Sequence, residues 1–231
     1  NDVFNVLQNG DSRAPFSLSE GVFQNHTYGN DPMFLHFRIM SENKIIYDKL
    51  ANFIKDHLQS NLLDKQFNYT YDNSILMHYI GDNKFHKKYI IMVTTNHPTI
   101  LETSILNNLV NIKGGIGTQN MHVHRYDHLI STGSSSDLLI DDSKTKLVMV
   151  LPNNNNSLAN FDSIRAFSNG VQFIGMKYQF HDNELISYNN LFKSNGNFAF
   201  LLKPPELRTD KIPPTDHGND YTVLGSTTQR S

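Results

Sequence analysis

Cysteine is missing from this sequence of 231 residues. Its absence excludes disulfides, thiolate nucleophiles and cysteine-based zinc sites. The chain also lacks any apolar run approaching the roughly 20 residues that span a bilayer, so no transmembrane segment is predicted. Lysine and arginine together number 20, against 22 aspartates and glutamates, and they form no long basic run. Nucleic acid is therefore not an expected partner.

Apolar stretches recur along the chain with polar or helical segments between them, a rhythm that is typical of α/β proteins. Strands are predicted to start at six positions: Val3, Met33, Tyr89, Met121, Leu147 and Val171. The run that begins at Tyr89 is apolar throughout, as in strands of parallel sheets that are buried on both faces. The length fits one α/β domain.

The most clearly marked helix follows the strand that starts at Met33. Ser41 or Asn43 is predicted to cap its N-terminus, because both side chains can accept a hydrogen bond from a backbone N–H of the first turn. The spacing of its apolar residues predicts the stripe that faces the core. That stripe consists of Ile46, Leu50, Phe53, Ile54 and Leu58.

The segment from Asn169 to Arg208 carries the most specific pattern. It predicts a buried strand from Val171 to Tyr178, a polar turn, a short helix around Leu185 and Leu191, and a second apolar run that stops at two prolines. Its characteristic steps are Gly170-Val171-Gln172, Lys177-Tyr178-Gln179, Leu202-Lys203-Pro204 and Arg208.

In order and spacing, these steps resemble the end of the catalytic barrel of the eukaryotic-type phosphoinositide-specific phospholipases C, and weaker similarity extends over nearly the whole chain. The resemblance implies an α/β fold, a TIM-type barrel of the phospholipase C-like phosphodiesterase kind, over residues 1–208. The similarity begins at the family's third strand. The first two strands, which carry a His-Asn pair and a Glu-x-Asp pair in the family, are therefore expected to be absent from this chain.

The same resemblance assigns four positions of the former active site, and all of them are changed. Asn9 stands where the family has its second catalytic histidine, and an amide cannot transfer a proton near neutral pH. Arg38 stands where a glutamate ligates calcium, and calcium needs oxygen ligands. Met149 and Leu151 replace the Arg-x-Tyr step that binds substrate. The sequence therefore predicts no catalytic residue and no cofactor.

The preferred interpretation is a catalytically inactive phospholipase C-like module that serves as a structural or interaction subunit. Divergent relatives of this kind resemble those of large DNA viruses, which favours a component of a viral particle, with the host cytoplasm as the other location. The alternative is the C-terminal part of an active, calcium-dependent phosphoinositide phosphodiesterase that an upstream segment completes. Only this alternative implies calcium and a phosphoinositide membrane as partners.

Four polar residues are natural contacts for a new ligand in the former pocket: His36, Arg38, Lys177 and Gln179. A separate candidate is the His122-x-His124 pair, since residues i and i+2 of a strand point to one face and Asp127 or His128 could complete a zinc site. Histidines that end a strand without binding metal explain the same pattern, and this second interpretation is favoured. No metal site is therefore predicted.

Residues 209–231 are polar and contain too few apolar side chains to form a core. The segment is predicted to be extended and to lie along a partner or along the barrel itself, with Tyr221, Val223 and Leu224 as anchors. An incomplete barrel would expose sheet edges. Other protein subunits, or an upstream fragment, are therefore the expected partners.

Overall fold

The computed structural model describes residues 30–71, 83–115, 120–131, 136–154, 157–196 and 200–209. The predicted strand at Val3, Asn9 and nearly all of the C-terminal tail lie outside these residues. The fold is mixed α/β, and the chain forms two compact units, the first ending at Met121 and the second beginning at His122. None of the described helices has the length and apolar character needed to cross a membrane.

The first unit is built on parallel strands that follow chain order. It contains β1 (Met33–Ile39), β2 (Tyr89–Thr95), β3 (Ile112–Gly114), α1 (Lys44–Leu58) and α2 (Pro98–Thr103). β1 and β2 pair along their whole length, from Met33 opposite Tyr89 to Ile39 opposite Thr95. The parallel arrangement predicted from the sequence is confirmed for these strands.

Two faces of β1 differ in their surroundings. Met33, Leu35, Phe37 and Ile39 pack on a core cluster that includes residues of α1 and β2. Successive side chains of a strand point to opposite faces, so His36 and Arg38 lie on the face away from α1. This arrangement puts the polar residues of β1 together at its carboxyl end.

Helix α1 forms where it was predicted, and its cap is Asn43, whose side chain accepts a hydrogen bond from the Ile45 N–H at 2.9 Å. The predicted apolar stripe is partly wrong, because Ile46 is 45% exposed and Phe53 is 40% exposed. The buried face of the helix consists of Tyr47, Ala51, Ile54 and Leu58. Tyr47 can be buried because its hydroxyl group is hydrogen-bonded, to Thr95 Oγ1 at 2.7 Å and to the Ser41 carbonyl at 3.0 Å.

Strand β3 was not predicted. It is only three residues long. Ile112 lies opposite Met92 of β2, and Gly114 lies opposite both Thr94 of β2 and Met121. A strand of three residues is too short to show an alternation of apolar and polar residues in the sequence. Its formation depends on pairing with β2.

The second unit continues the alternation of strands and helices. Its strands are β4 (Met121–Arg125, which begins at the last residue of the first unit), β5 (Leu147–Leu151) and β6 (Phe173–Ile174). Its helices are α3 (Tyr126–Ser131), α4 (Ser136–Thr145), α5 (Ser163–Ser168) and α6 (Asn183–Ser194). β5 and β6 are parallel, with Met149 opposite Phe173.

Strand β5 places one set of residues in the core of this unit. Val148 and Val150 are fully buried and pack with Phe161, Ala166 and Ile174. By alternation, Met149 and Leu151 share the opposite face of the strand.

Strand β6 is much shorter than the predicted strand from Val171 to Tyr178. The Gly175 N–H still donates to the Val150 carbonyl at 2.9 Å, but the Lys177 N–H donates to Asn160 Oδ1 at 2.6 Å. A side-chain acceptor therefore replaces the neighbouring strand, and the chain turns away from the sheet toward α6.

Candidate functional site

The carboxyl ends of parallel strands are the usual place for functional groups in α/β folds. In the first unit, His36 Nε2 lies 3.0 Å from Thr94 Oγ1, so the two side chains link β1 to β2. Burial, and next the charge of Arg38, lower the pKa of His36. Arg38 itself is exposed and lies opposite Thr94 in the strand register. This end of the first unit carries positive charge.

The corresponding ends in the second unit are largely apolar. Met149 and Leu151 occupy the face of β5 away from its packed core. Arg125, at the end of β4, donates from Nη1 to the Pro152 carbonyl at 2.6 Å. Arg125 was not singled out from the sequence, although its position at the end of an alternating strand is a usable signal.

The four predicted ligand contacts are divided between the units. His36 and Arg38 belong to the first, whereas Lys177 and Gln179 belong to the second. Lys177 Nζ donates to the Ser157 carbonyl, and Gln179 is exposed. The role of each as a ligand contact remains a prediction.

The characteristic residues of the C-terminal segment meet at Ser143 in α4. Gln172 Nε2 and Lys203 Nζ each donate to the Ser143 carbonyl at 2.7 Å. Gln172 also accepts from the Val148 N–H at 2.8 Å, which ties it to β5. Gly170 has a φ of +74°, and a Cβ there would lie 2.3 Å from Ser143 Oγ. Side chains are therefore excluded at Gly170 both by sterics and by backbone conformation.

Burial also changes the ionisation of Lys203. Desolvation lowers the pKa of its ammonium group from the ordinary 10.5 to about 8. Arg208, the last residue of the pattern, donates from Nε to the Lys203 carbonyl. The side chains of Lys203 and Arg208 bond to backbone carbonyls of other residues and so hold segments of the chain together. This role is structural.

Histidines of β4 form a second cluster, on the face of the strand opposite Arg125. His122 and His124 approach Asp142 of α4, and one potential ligand atom of each residue lies within 4.8 Å of the others. His122 Nδ1 bonds to Asp142 Oδ2, while Lys146 Nζ donates to Asp142 Oδ1 at 2.9 Å. Asp142 was not among the sequence candidates, because it follows His122 by 20 residues and only packing brings the two together.

His128 lies beside this cluster. Its ring is nearly parallel to that of His124, with centroids 5.5 Å apart. Burial, followed by the charges of His128 and His122, lowers the pKa of His124, and the charge of Asp142 acts in the opposite direction. A cleft of about 560 Å³ is lined by all three histidines and by Asp142. Asp127 is not in the cluster that the described residues form.

Comparison with known structures identifies the class of fold, which is similar to that of the phospholipase C catalytic domain. The structures it resembles are those of PLC21 from L. pealei and from S. officinalis, each with a TM-score of 0.60. Sequence identity is 16% and 18%, and each match covers 79% of this chain. This chain spans only 28% of the length of either PLC21 chain. No protein-family model and no curated protein sequence matches the chain.

Proposed function

We propose that this chain is a catalytically inactive phospholipase C-like module that acts as a structural or interaction subunit, within a large viral particle in the most specific form of the hypothesis. The observation that carries the proposal is Arg38. Its guanidinium stands at the end of β1, where the resemblance calls for a calcium-binding glutamate. Like charges repel and calcium takes oxygen ligands, so this substitution opposes calcium binding.

The distribution of retained residues supports the same proposal. Gly170, Gln172 and Lys203 match the family pattern, and each is engaged with Ser143 by a hydrogen bond or by close approach. Met149 and Leu151, which correspond to substrate-binding positions, offer no polar group for a phosphate. Retention of scaffold residues together with loss of polar strand-end residues is expected when a fold is kept for a new task.

The alternative function is the C-terminal part of an active calcium-dependent phosphoinositide phosphodiesterase. It is favoured by one observation, the small share of the PLC21 chains that this sequence spans, because a further segment would supply the remaining catalytic groups. In that case Asn9 and Arg38 would have to be tolerated near a calcium ion.

A hydrolysis assay distinguishes the two functions. The polypeptide is purified from its source with whatever accompanies it and is incubated with phosphatidylcholine vesicles that contain phosphatidylinositol bisphosphate, with and without calcium. We expect no calcium-dependent release of inositol phosphate. Such release would contradict the proposal. If release is altered by Arg38→Gln and not by Lys193→Gln at an exposed site on α6, the activity belongs to the end of β1.

The interaction part is tested separately. Cross-linking and mass spectrometry of the native material should identify a partner at constant stoichiometry, and purified viral particles should contain the chain in the same ratio to that partner. A chain that is monomeric in its source and absent from particles would contradict a subunit role.

A further inference from the structure

We propose that His122, His124 and Asp142 bind a first-row divalent cation of the zinc class, with one coordination position open to the adjacent cleft. The site goes beyond the proposed function, because it does not use the positions compared with phospholipases C. It lies on the face of β4 opposite Arg125 and involves α4.

The geometry of the two elements brings the ligands together. His122 and His124 are two residues apart in β4 and therefore share one face of the strand. Asp142 reaches the same place from α4, and the three potential ligand atoms lie within 4.8 Å of one another. Tetrahedral ligands at the usual 2.0 to 2.2 Å from zinc are about 3.4 Å apart, so modest side-chain rotations close the site.

The donor chemistry selects the class of ion. Two imidazoles and one carboxylate suit zinc and other borderline first-row cations. Calcium and magnesium prefer an all-oxygen set, which this cluster does not offer. The site thus differs in chemistry from the calcium site that the phospholipase C resemblance implies.

An unsatisfied nitrogen is the independent observation. Nε2 of His124 is buried and has no hydrogen-bond partner among the described residues. Buried polar atoms are nearly always satisfied, and an exception calls for an explanation such as an ion. A metal bond at this nitrogen would supply the missing partner.

One positive charge must move before a cation can bind. The ammonium of Lys146 lies 2.9 Å from Asp142 Oδ1 and would repel a divalent ion, and His122 also occupies the carboxylate. Binding a divalent ion would shift the carboxylate from these partners to the metal. Lys146 is one-third exposed and can turn to solvent.

Three protein ligands leave a tetrahedral ion with one position to fill. The cleft beside the cluster gives this position access to a water or a small anion, and Leu138 and Leu139 form its apolar side. The ring of His128 stacks on His124 and also lines this cleft.

Cobalt titration of the full chain tests the proposal. The protein is stripped of metal with a chelator, and Co²⁺ is added while the visible absorption of the ion is followed; Zn²⁺ is then added in competition. We expect one equivalent of Co²⁺ to bind at micromolar concentrations with tetrahedral-type bands that zinc abolishes. Wild-type protein that gives no stoichiometric binding would overturn the proposal.

His124→Gln is the decisive variant, because Nε2 of His124 makes no hydrogen bond to the residues that the structure describes, so no such bond is lost in the variant. Loss of one ligand should weaken binding on the order of 100-fold, since even outer partners of metal ligands are worth 10 to 100-fold. His181→Gln, at an exposed histidine of the same unit, is the matched control and should bind as the wild type does. Equal affinities of the two variants would refute the assignment.

Two further measurements test the third ligand and the open coordination position. Asp142→Asn retains a hydrogen-bond acceptor for His122 and should also weaken binding, with circular dichroism confirming that each variant is folded. Azide added to the cobalt form should shift its absorption bands if one position is open. Unchanged bands would contradict the open position.

Discussion

At the scale of single residues, buried polar side chains stabilise this chain by bonding to backbone atoms. Asn160 is 8% exposed, and its side chain accepts from the Lys177 N–H and donates to the Phe180 carbonyl. Asn111, 4% exposed, accepts from the Ile91 N–H and donates to the Phe67 carbonyl. The asparagine-rich composition therefore contributes to the fold at these points.

Lys203 should make stability depend on pH. Its folded-state pKa of about 8 lies below the ordinary 10.5, so the unfolded chain binds more protons between these values. Stability contributed by this group therefore rises as the pH increases from 8 toward 10.5. Lys203→Met should flatten this rise, as measured by urea unfolding between pH 7.5 and 9.5.

The control for this measurement is Lys193→Met, which removes an exposed lysine of α6. It should leave the pH dependence of the wild type unchanged. A rise in stability that persists in Lys203→Met would show that another group is responsible.

At the scale of elements, the important contacts are those between a helix and the strands beside it. Helix α1 packs on β1 and β2 through Tyr47, Ala51, Ile54 and Leu58. Ile54 and Leu58 belong to the predicted stripe, whereas Ile46 and Phe53 of that stripe are exposed. Helix α4 is joined to β5 and to the segment before β6 by Gln172.

Substitutions on the buried and the exposed side of α1 should lower the free energy of unfolding by different amounts. Ile54 is fully buried and Ile46 is 45% exposed, so the two residues offer the same chemistry at different depths. Ile54→Ala should lower the free energy of unfolding by about 2 to 4 kcal/mol through lost burial and a cavity. Ile46→Ala should lower it by less than about 1 kcal/mol. Urea unfolding followed by circular dichroism measures both, and equal costs would contradict the observed orientation of α1.

Gln172 and Gln179 offer a second matched pair. Gln172→Ala removes the acceptor of the Val148 N–H and one of the two donors to the Ser143 carbonyl, which should cost about 1 to 3 kcal/mol. Gln179 is exposed, and Gln179→Ala should change stability by no more than about 0.5 kcal/mol. Thermal unfolding of the two variants measures this difference in stability. A small effect of Gln172→Ala would contradict the role of Gln172 in attaching α4.

At the scale of the whole molecule, calcium is the ligand that separates the two proposed functions. A chain that cannot bind calcium should unfold at the same temperature with and without it. A site with a Kd about 100-fold below the added concentration would contribute about 2.7 kcal/mol. That contribution would raise the Tm by several degrees. Differential scanning calorimetry of the native material, together with any upstream segment that accompanies the chain, measures this difference with calcium and with magnesium as the control cation.

The sequence by itself determined the positions of β1, β2, β4, β5 and α1, because apolar runs and helix caps are local signals. It also carried the phospholipase C resemblance, through Gly170, Gln172 and Lys203.

Only the tertiary structure decided which side of α1 is buried, where β3 pairs, and which carboxylate meets His122 and His124. Each of these depends on neighbours distant in the chain: Thr95 for Tyr47, Met92 for Ile112, and Asp142 for His122. Apolar spacing predicts that a face exists and roughly how wide it is. The packing of separate elements then decides which side chains that face buries and which polar groups it brings within reach of one another.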